Sequence, residues 1–158
     1  MTDMEKIFFC ETPAGKLCIG EEDGHITRTS WSKVPGEYVL EETELILECK
    51  RQLEEYFAGK RKKFDLPLAP KGTEFQKKVW KALTEIPYGE TRTYGEIAAA
   101  VGNPKGARAV GMANNKNPIG ILIPCHRVVG ANGKLVGYAG GMEKKEFLLE
   151  LERNNSTC

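Results

Sequence analysis

Between residues 73 and 113 the chain dictates three helices and the breaks between them. Thr73 with Gln76, and Thr93 with Glu96, form capping boxes, in which two otherwise orphaned helix-end amides are satisfied reciprocally. After the first box, Phe75, Val79, Ala82, Leu83 and Ile86 recur at helical spacing until Pro87-Tyr88-Gly89 ends the run. After the second, Ile97, Ala98 and Val101 predict a short helix that Gly102 stops. Asn103 as N-cap and Pro104 as first helical residue then predict a third helix through Ala107, Val110 and Ala113. The small residues Ala98, Ala99, Ala107 and Ala109 allow the last two helices to approach closely. Two short helices joined by a tight glycine turn read as a helix-turn-helix.

The chain changes character at Pro70-Lys71-Gly72, which predicts two units, 1–71 and 72–158. In the first, three β-prone runs are separated by Pro13-Ala14-Gly15 and Asp23-Gly24, the pattern of a meander of hairpins. Leu45, Ile46, Cys49, Leu53, Tyr56 and Phe57 then follow helical spacing over residues 41–57, and Gly59 ends the helix. Residues 63–70 could add a short strand, which their prolines would keep at an edge. Both cores are small, so each unit is expected to lean on the other. Trp31 and Trp80 read as packing residues.

Charge divides along the same line. Residues 1–71 hold 11 Lys/Arg against 14 Asp/Glu, and residues 72–158 hold 12 against 8. No acidic residue falls between Glu96 and Glu143, where Lys105, Arg108, Lys116, Arg127 and Lys134 all lie. A basic stretch around a helix pair suits a polyanion such as nucleic acid. Five cysteines without regular spacing argue against a disulfide framework and for reduced thiols inside a cell. No apolar run is long enough to span a bilayer, and the first ten residues lack a secretory pattern, so a cytoplasmic protein is expected (nuclear in a eukaryote).

The residues with chemistry stand in "ILIPCHRVVG", 121–130, where three aliphatic residues and a proline run into Cys125, His126 and Arg127. A thiolate, rather than a thiol, is the nucleophile, and Cys125 needs a base or a cation to become one. His126 is adjacent, but neighbours on an extended segment face opposite sides, so a bend or a bridging water is required. Glu146, Glu150 and Glu152 of the last predicted helix are candidates to orient the imidazole. Two histidines and no Cys-x-x-Cys pair argue against a metal site.

"PCHRVVG", followed by "GYAGG" and preceded by "YGEIAAAVGNPKGARAVGMANNKNP", resembles the 6-O-alkylguanine-DNA alkyltransferases. The similarity is dense from about Thr73 to Glu152 and loose before it. It implies an α/β ribonuclease-H-like N-terminal domain and a mostly α C-terminal domain with a winged helix-turn-helix. It also implies repair of DNA by irreversible transfer of an alkyl group from 6-O-alkylguanine, and from 4-O-methylthymine, to Cys125. His126 would serve as base through water, with Glu152 holding the imidazole, and Asn117 would brace the turn. Tyr94 would donate a hydrogen bond to the flipped guanine. Arg108 would fill the space that the base leaves, with Gly95, Asn103 and Ala131 on the DNA backbone. Tyr138, Ala139 and Gly140 would wall the pocket. The resemblance further implies minor-groove binding to double-stranded DNA as a monomer, no cofactor, no metal and no membrane partner.

Two departures stand out. Ala139 replaces a frequent serine, which removes a hydroxyl from the pocket. Gly120 stands where proline is frequent, which is expected to loosen the wall and widen alkyl tolerance. A lesion-recognition or regulatory DNA-binding protein with an incidental cysteine, and a cysteine hydrolase, remain as alternatives. Retention of all activity by Cys125→Ala would favour the first of these, and multiple turnover the second.

Overall fold

The computed structural model describes residues 4–32, 34, 36–135, 137–138 and 140–156. Strands β1 (Lys6–Thr12), β2 (Gly15–Glu22) and β3 (His25–Ser30) form the expected antiparallel meander. Its turns carry positive φ at Gly15, Asp23 and Gly24, where the sequence places its breakers. A short strand β4 (Val39–Leu40) joins the far edge in parallel with β1. Helix α1 (Glu44–Phe57) starts at Thr43, whose hydroxyl accepts from the Ile46 amide, and lays Ile46, Cys49, Leu53 and Tyr56 against the sheet. Residues 63–70 add no full strand. The Ile26 amide donates to Pro67 O and Ala69 N donates to Ile26 O, a single bridge, because Pro67 and Pro70 cannot extend the ladder.

In the second half, α2 (Glu74–Leu83) and α3 (Tyr94–Ala100) both open with complete capping boxes at Thr73/Gln76 and Thr93/Glu96. The second helix of the pair departs from expectation. Asn103 is not its N-cap: the Gly106 amide donates to Asn103 O and closes an Asn-Pro-Lys-Gly turn. Helix α4 (Ala107–Asn115) therefore begins after Gly106, with no side-chain cap. Gly102, at φ +81, makes the turn between α3 and α4. Trp80 is buried and donates from Nε1 to Ala113 O, tying α2 to α4. A two-residue parallel pair, β5 (Arg92–Thr93) with β6 (Val128–Val129), and a 3-10 turn at Ala131–Gly133 form the wing. Helix α5 (Met142–Asn155) closes the chain.

The halves are stitched at β3. Thr29 N donates to Pro118 O, Gly120 N donates to Thr29 O, and the Thr29 hydroxyl donates to Gly120 O. One continuous apolar cluster runs from Leu17 and Ile26 through Tyr56 and Val79 to Ile123 and Leu148.

Candidate active site

Residues 121–123, an apolar run that reads as extended chain, are a succession of tight turns. Ile121 sits at φ +70, a region β-branched residues avoid. Such a conformation costs on the order of 1–3 kcal/mol and persists only where the surroundings dictate it. Asn117 dictates it: Oδ1 accepts from Ile119 N at 3.0 Å, and Nδ2 donates to Ile123 O at 2.9 Å and to Ile119 O at 3.3 Å. Pro124 brings no amide that would need a partner, and Cys125–Arg127 then takes one 3-10 turn. That bend removes the obstacle seen in the sequence, since Cys125 and His126 no longer alternate across a strand. Cys125 (5 % exposed), His126 and Arg127 are all buried.

Behind them, Glu152 of α5 is a hub. Its Oε2 lies 2.6 Å from His126 Nε2, 2.6 Å from the Tyr56 hydroxyl and 3.0 Å from Arg127 Nη2. Its Oε1 accepts from Arg127 Nε at 2.8 Å and from the Gly89 amide at 3.4 Å. Arg127 Nη1 donates onward to Ile86 O. Burial alone would raise the Glu152 carboxyl, but His126 and Arg127 outweigh it and bring the group down to about 2. Glu152 is therefore a carboxylate, with Arg127 as its counter-charge. His126 is lowered from its ordinary value, chiefly by burial and against the pull of Glu152, so it rests neutral near pH 7. With a carboxylate on Nε2, the proton belongs there and the lone pair on Nδ1. Nδ1 is buried with no hydrogen-bond partner among the described residues.

The Cys125 thiol is raised by burial, with Asn117 and Lys145 acting the other way. It rests protonated, and a base is needed to unmask it. Lys145 is fully buried, and its Nζ donates to Val128 O at 2.6 Å and Gly137 O at 3.2 Å. Burial brings its ammonium down to about 8. Asn114 Nδ2 donates to Cys125 O.

A cavity of about 30 Å³ adjoins the thiol, lined by Thr29, Trp31, Asn117, Gly120, Tyr138 and Gly140 among others. Trp31 Nε1 donates to the Tyr138 hydroxyl at 3.3 Å, and Gly140 packs so closely that a Cβ there would meet the indole at 2.3 Å. Gly120 is bonded into this wall at both its amide and its carbonyl, each paired with Thr29. Ala139 lies outside the described residues. Tyr94 is half-buried at the start of α3, its phenol raised by burial and by Cys125, with Gly111 of α4 beside its ring. Gly95, Asn103, Arg108 and Ala131 are exposed on the helix pair and wing.

The fold thus brings Cys125, His126, Glu152, Asn117, Tyr138 and Gly140 to one buried centre and leaves the helix-pair residues on the surface. Sequence reasoning missed Tyr56, Lys145, Asn114 and Trp31, and gave Arg127 no role beside Glu152. Of these, only Arg127 carried a signal, as a cation in an apolar segment. Glu146 and Glu150 are exposed, which separates Glu152 from its rivals.

A buried thiol followed in the chain by a histidine that a glutamate holds, beside a helix-turn-helix, points to a class: a DNA-directed protein with a thiol at its centre. The family model for the 6-O-methylguanine DNA methyltransferase ribonuclease-like domain matches residues 7–70, and that for the DNA binding domain of the same family matches residues 74–154. A methylated-DNA–protein-cysteine methyltransferase of Methanosarcina acetivorans is 60 % identical over 148 residues, covering 90 % of this chain and 94 % of its own. The constitutive Bacillus subtilis protein of that name is 53 % identical over 152 residues, covering 90 % and 92 %. Among solved structures, Mycobacterium tuberculosis OGT in complex with DNA aligns with a TM-score of 0.90 at 44 % identity, covering 95 % of this chain and 94 % of its own. The chain belongs to the methylated-DNA–protein-cysteine methyltransferase family.

Proposed function

We propose that this protein repairs DNA by moving the alkyl group of 6-O-alkylguanine, and of 4-O-methylthymine, onto Cys125. The observation that carries the reading is the His126–Glu152 pair beside Cys125, in which the carboxylate draws the imidazole proton to Nε2 and Nδ1 is buried with no hydrogen-bond partner among the described residues. Through one water, Nδ1 takes the Cys125 proton. The thiolate attacks the alkyl carbon in line, an S–C bond forms, and the C–O bond breaks with its electron pair on the purine. Tyr94 stays protonated at neutral pH and donates a hydrogen bond to the departing base. The proton on His126 then neutralises the purine through the same water. A thioether is a poor leaving group, so each chain reacts once, without a cofactor.

The lesion must leave the stack to reach a buried thiol, at a cost of a few kcal/mol. Arg108 on the exposed face of α4 offsets that cost by occupying the gap. Gly95, Asn103 and Ala131 meet the sugar-phosphate backbone. Helix entry from the minor groove suits the small residues Ala107 and Ala109, and the protein acts as a monomer with residues 72–158 on the DNA and 1–71 behind them. The test is stoichiometry. With excess duplex carrying 6-O-methylguanine, one methyl per chain should transfer and the reaction then stop. Continued turnover would overturn the reading.

A further inference from the structure

Tyr56 belongs to α1 in the N-terminal half, 96 residues from Glu152, yet its hydroxyl reaches Glu152 Oε2 at 2.6 Å, inside the protein. That oxygen is the one that holds His126. A carboxylate accepts and cannot donate, so the phenol is the donor. A charge-assisted bond of this length draws electron density from the oxygen on which the imidazole depends. The Tyr56 ring is itself fixed by edge contacts with Phe57 and Tyr88 and by a tilted contact with Phe64, at centroid distances of 5.2, 6.2 and 5.5 Å. The phenol is fully buried, and burial with the Glu152 charge drives its ionisation well upward, so it remains a donor at neutral and acid pH.

We propose that Tyr56 is a positioning residue of the alkyl transfer: its hydroxyl disperses the charge of Glu152 and so keeps His126 a neutral base. The groups that face the Glu152–His126 pair are Tyr56 on α1, Tyr88 after α2, Arg127 on the 3-10 turn, Tyr138 before α5 and Lys145 on α5. Arg127 already balances the carboxylate, and Lys145 opposes a proton on the imidazole. Without the phenol donor, Glu152 presents more charge to Nε2, and the imidazolium is favoured. Loss of the hydroxyl therefore moves His126 protonation to higher pH. The N-terminal half would in this way act on the chemistry, beyond bracing the other half.

The kinetic arm of the test rests on the transfer reading above, and the spectroscopic arm does not. For Tyr56→Phe, which keeps the ring, the single-turnover rate is measured against pH. The expected result is an acid limb moved up by about one pH unit, hence roughly tenfold slower transfer at equal pH on the limb, with both proteins meeting on the plateau. Tyr88→Phe, which removes a buried phenol oxygen that has no hydrogen-bond partner among the described residues, is expected to leave the limb in place. Ring-nitrogen NMR follows His126 directly, since His25 is the one other histidine. A limb and an NMR titration that do not move would overturn the proposal. So would a rate lowered equally at every pH, which marks a purely structural role. If Tyr56→Phe does not fold, a fluorinated tyrosine placed at position 56, a stronger donor, should move the limb downward; an unmoved limb there would also overturn it. Failure of the wild type to transfer methyl, with the NMR shift intact, would refute the transfer reading alone.

Discussion

Cys49 and Cys125 are both buried thiols, and the contrast between their surroundings separates storage from chemistry. Cys49 lies on α1 against the sheet, and burial pushes it up to about 12, with Cys10 and Glu48 raising it further. Cys125 is as well buried, but Asn117 and Lys145 act against that rise, and the next residue, His126, has a ring nitrogen with no hydrogen-bond partner among the described residues. The backbone differs as well. Around Cys49 it is a regular helix, whereas the approach to Cys125 passes through Ile121 at positive φ. Burial alone makes a thiol inert. What distinguishes Cys125 is a neighbouring imidazole held by a carboxylate that Arg127 balances.

The sharpest way to break this contrast is to exchange each cysteine. Cys125→Ala should abolish transfer, while Cys49→Ala should leave the single-turnover rate within about twofold and cost about 1 kcal/mol in denaturant unfolding. Equal loss of transfer in both variants would erase the distinction. Next in size is the carboxylate. Glu152→Gln leaves Arg127 a buried cation without its counter-charge and with one carboxylate oxygen fewer, so unfolding free energy should fall by about 3 kcal/mol, and transfer should slow by roughly a hundredfold. A stable, active variant would mean that Arg127 and His126 have other support.

Arg108→Ala sharpens the division between chemistry and base extrusion. Transfer from duplex DNA should slow by roughly thirtyfold, the value of a few kcal/mol of unstacking in part uncompensated, while transfer from free 6-O-methylguanine base stays unchanged. Loss on both substrates would move Arg108 into the chemical centre. Acid stability should show the smallest effect. His126 binds its proton more weakly when folded, so as pH falls below about 6.5 the unfolded chain takes up a proton that the folded chain refuses, and stability declines. Glu152, at about 2 when folded, adds a second loss in the same direction from 4.5 downward. Melting temperature should therefore fall from pH 6.5 to pH 4.5, and His126→Asn should flatten the upper part of that curve.

Much of the fold was legible because its signals are local. Both capping boxes formed as the sequence predicts, since each joins residues three apart. The meander followed from turn residues that must adopt positive φ. The errors arose where tertiary contacts overrode local propensity. Residues 121–123 look like a strand, yet Asn117 holds them in turns. Asn103 looks like an N-cap, yet its carbonyl closes a turn to Gly106 and delays the helix. Within the site, the ordered motif around Cys125 brought His126, Asn117 and Glu152 to attention. Tyr56 and Trp31 could not be found that way, because their partners lie 96 and 107 residues away. Lys145 looked like any helical lysine, and only its burial against Val128 O shows otherwise.

The most direct test of the central claim is to incubate the protein with an oligonucleotide carrying a single 6-O-methylguanine, weigh the intact chain and map the modified peptide. The account predicts one added methyl group, on Cys125 and on none of the other cysteines, absent with unmodified DNA. A methyl group on Cys49 or another thiol, or tight lesion binding with no change in mass, would contradict it.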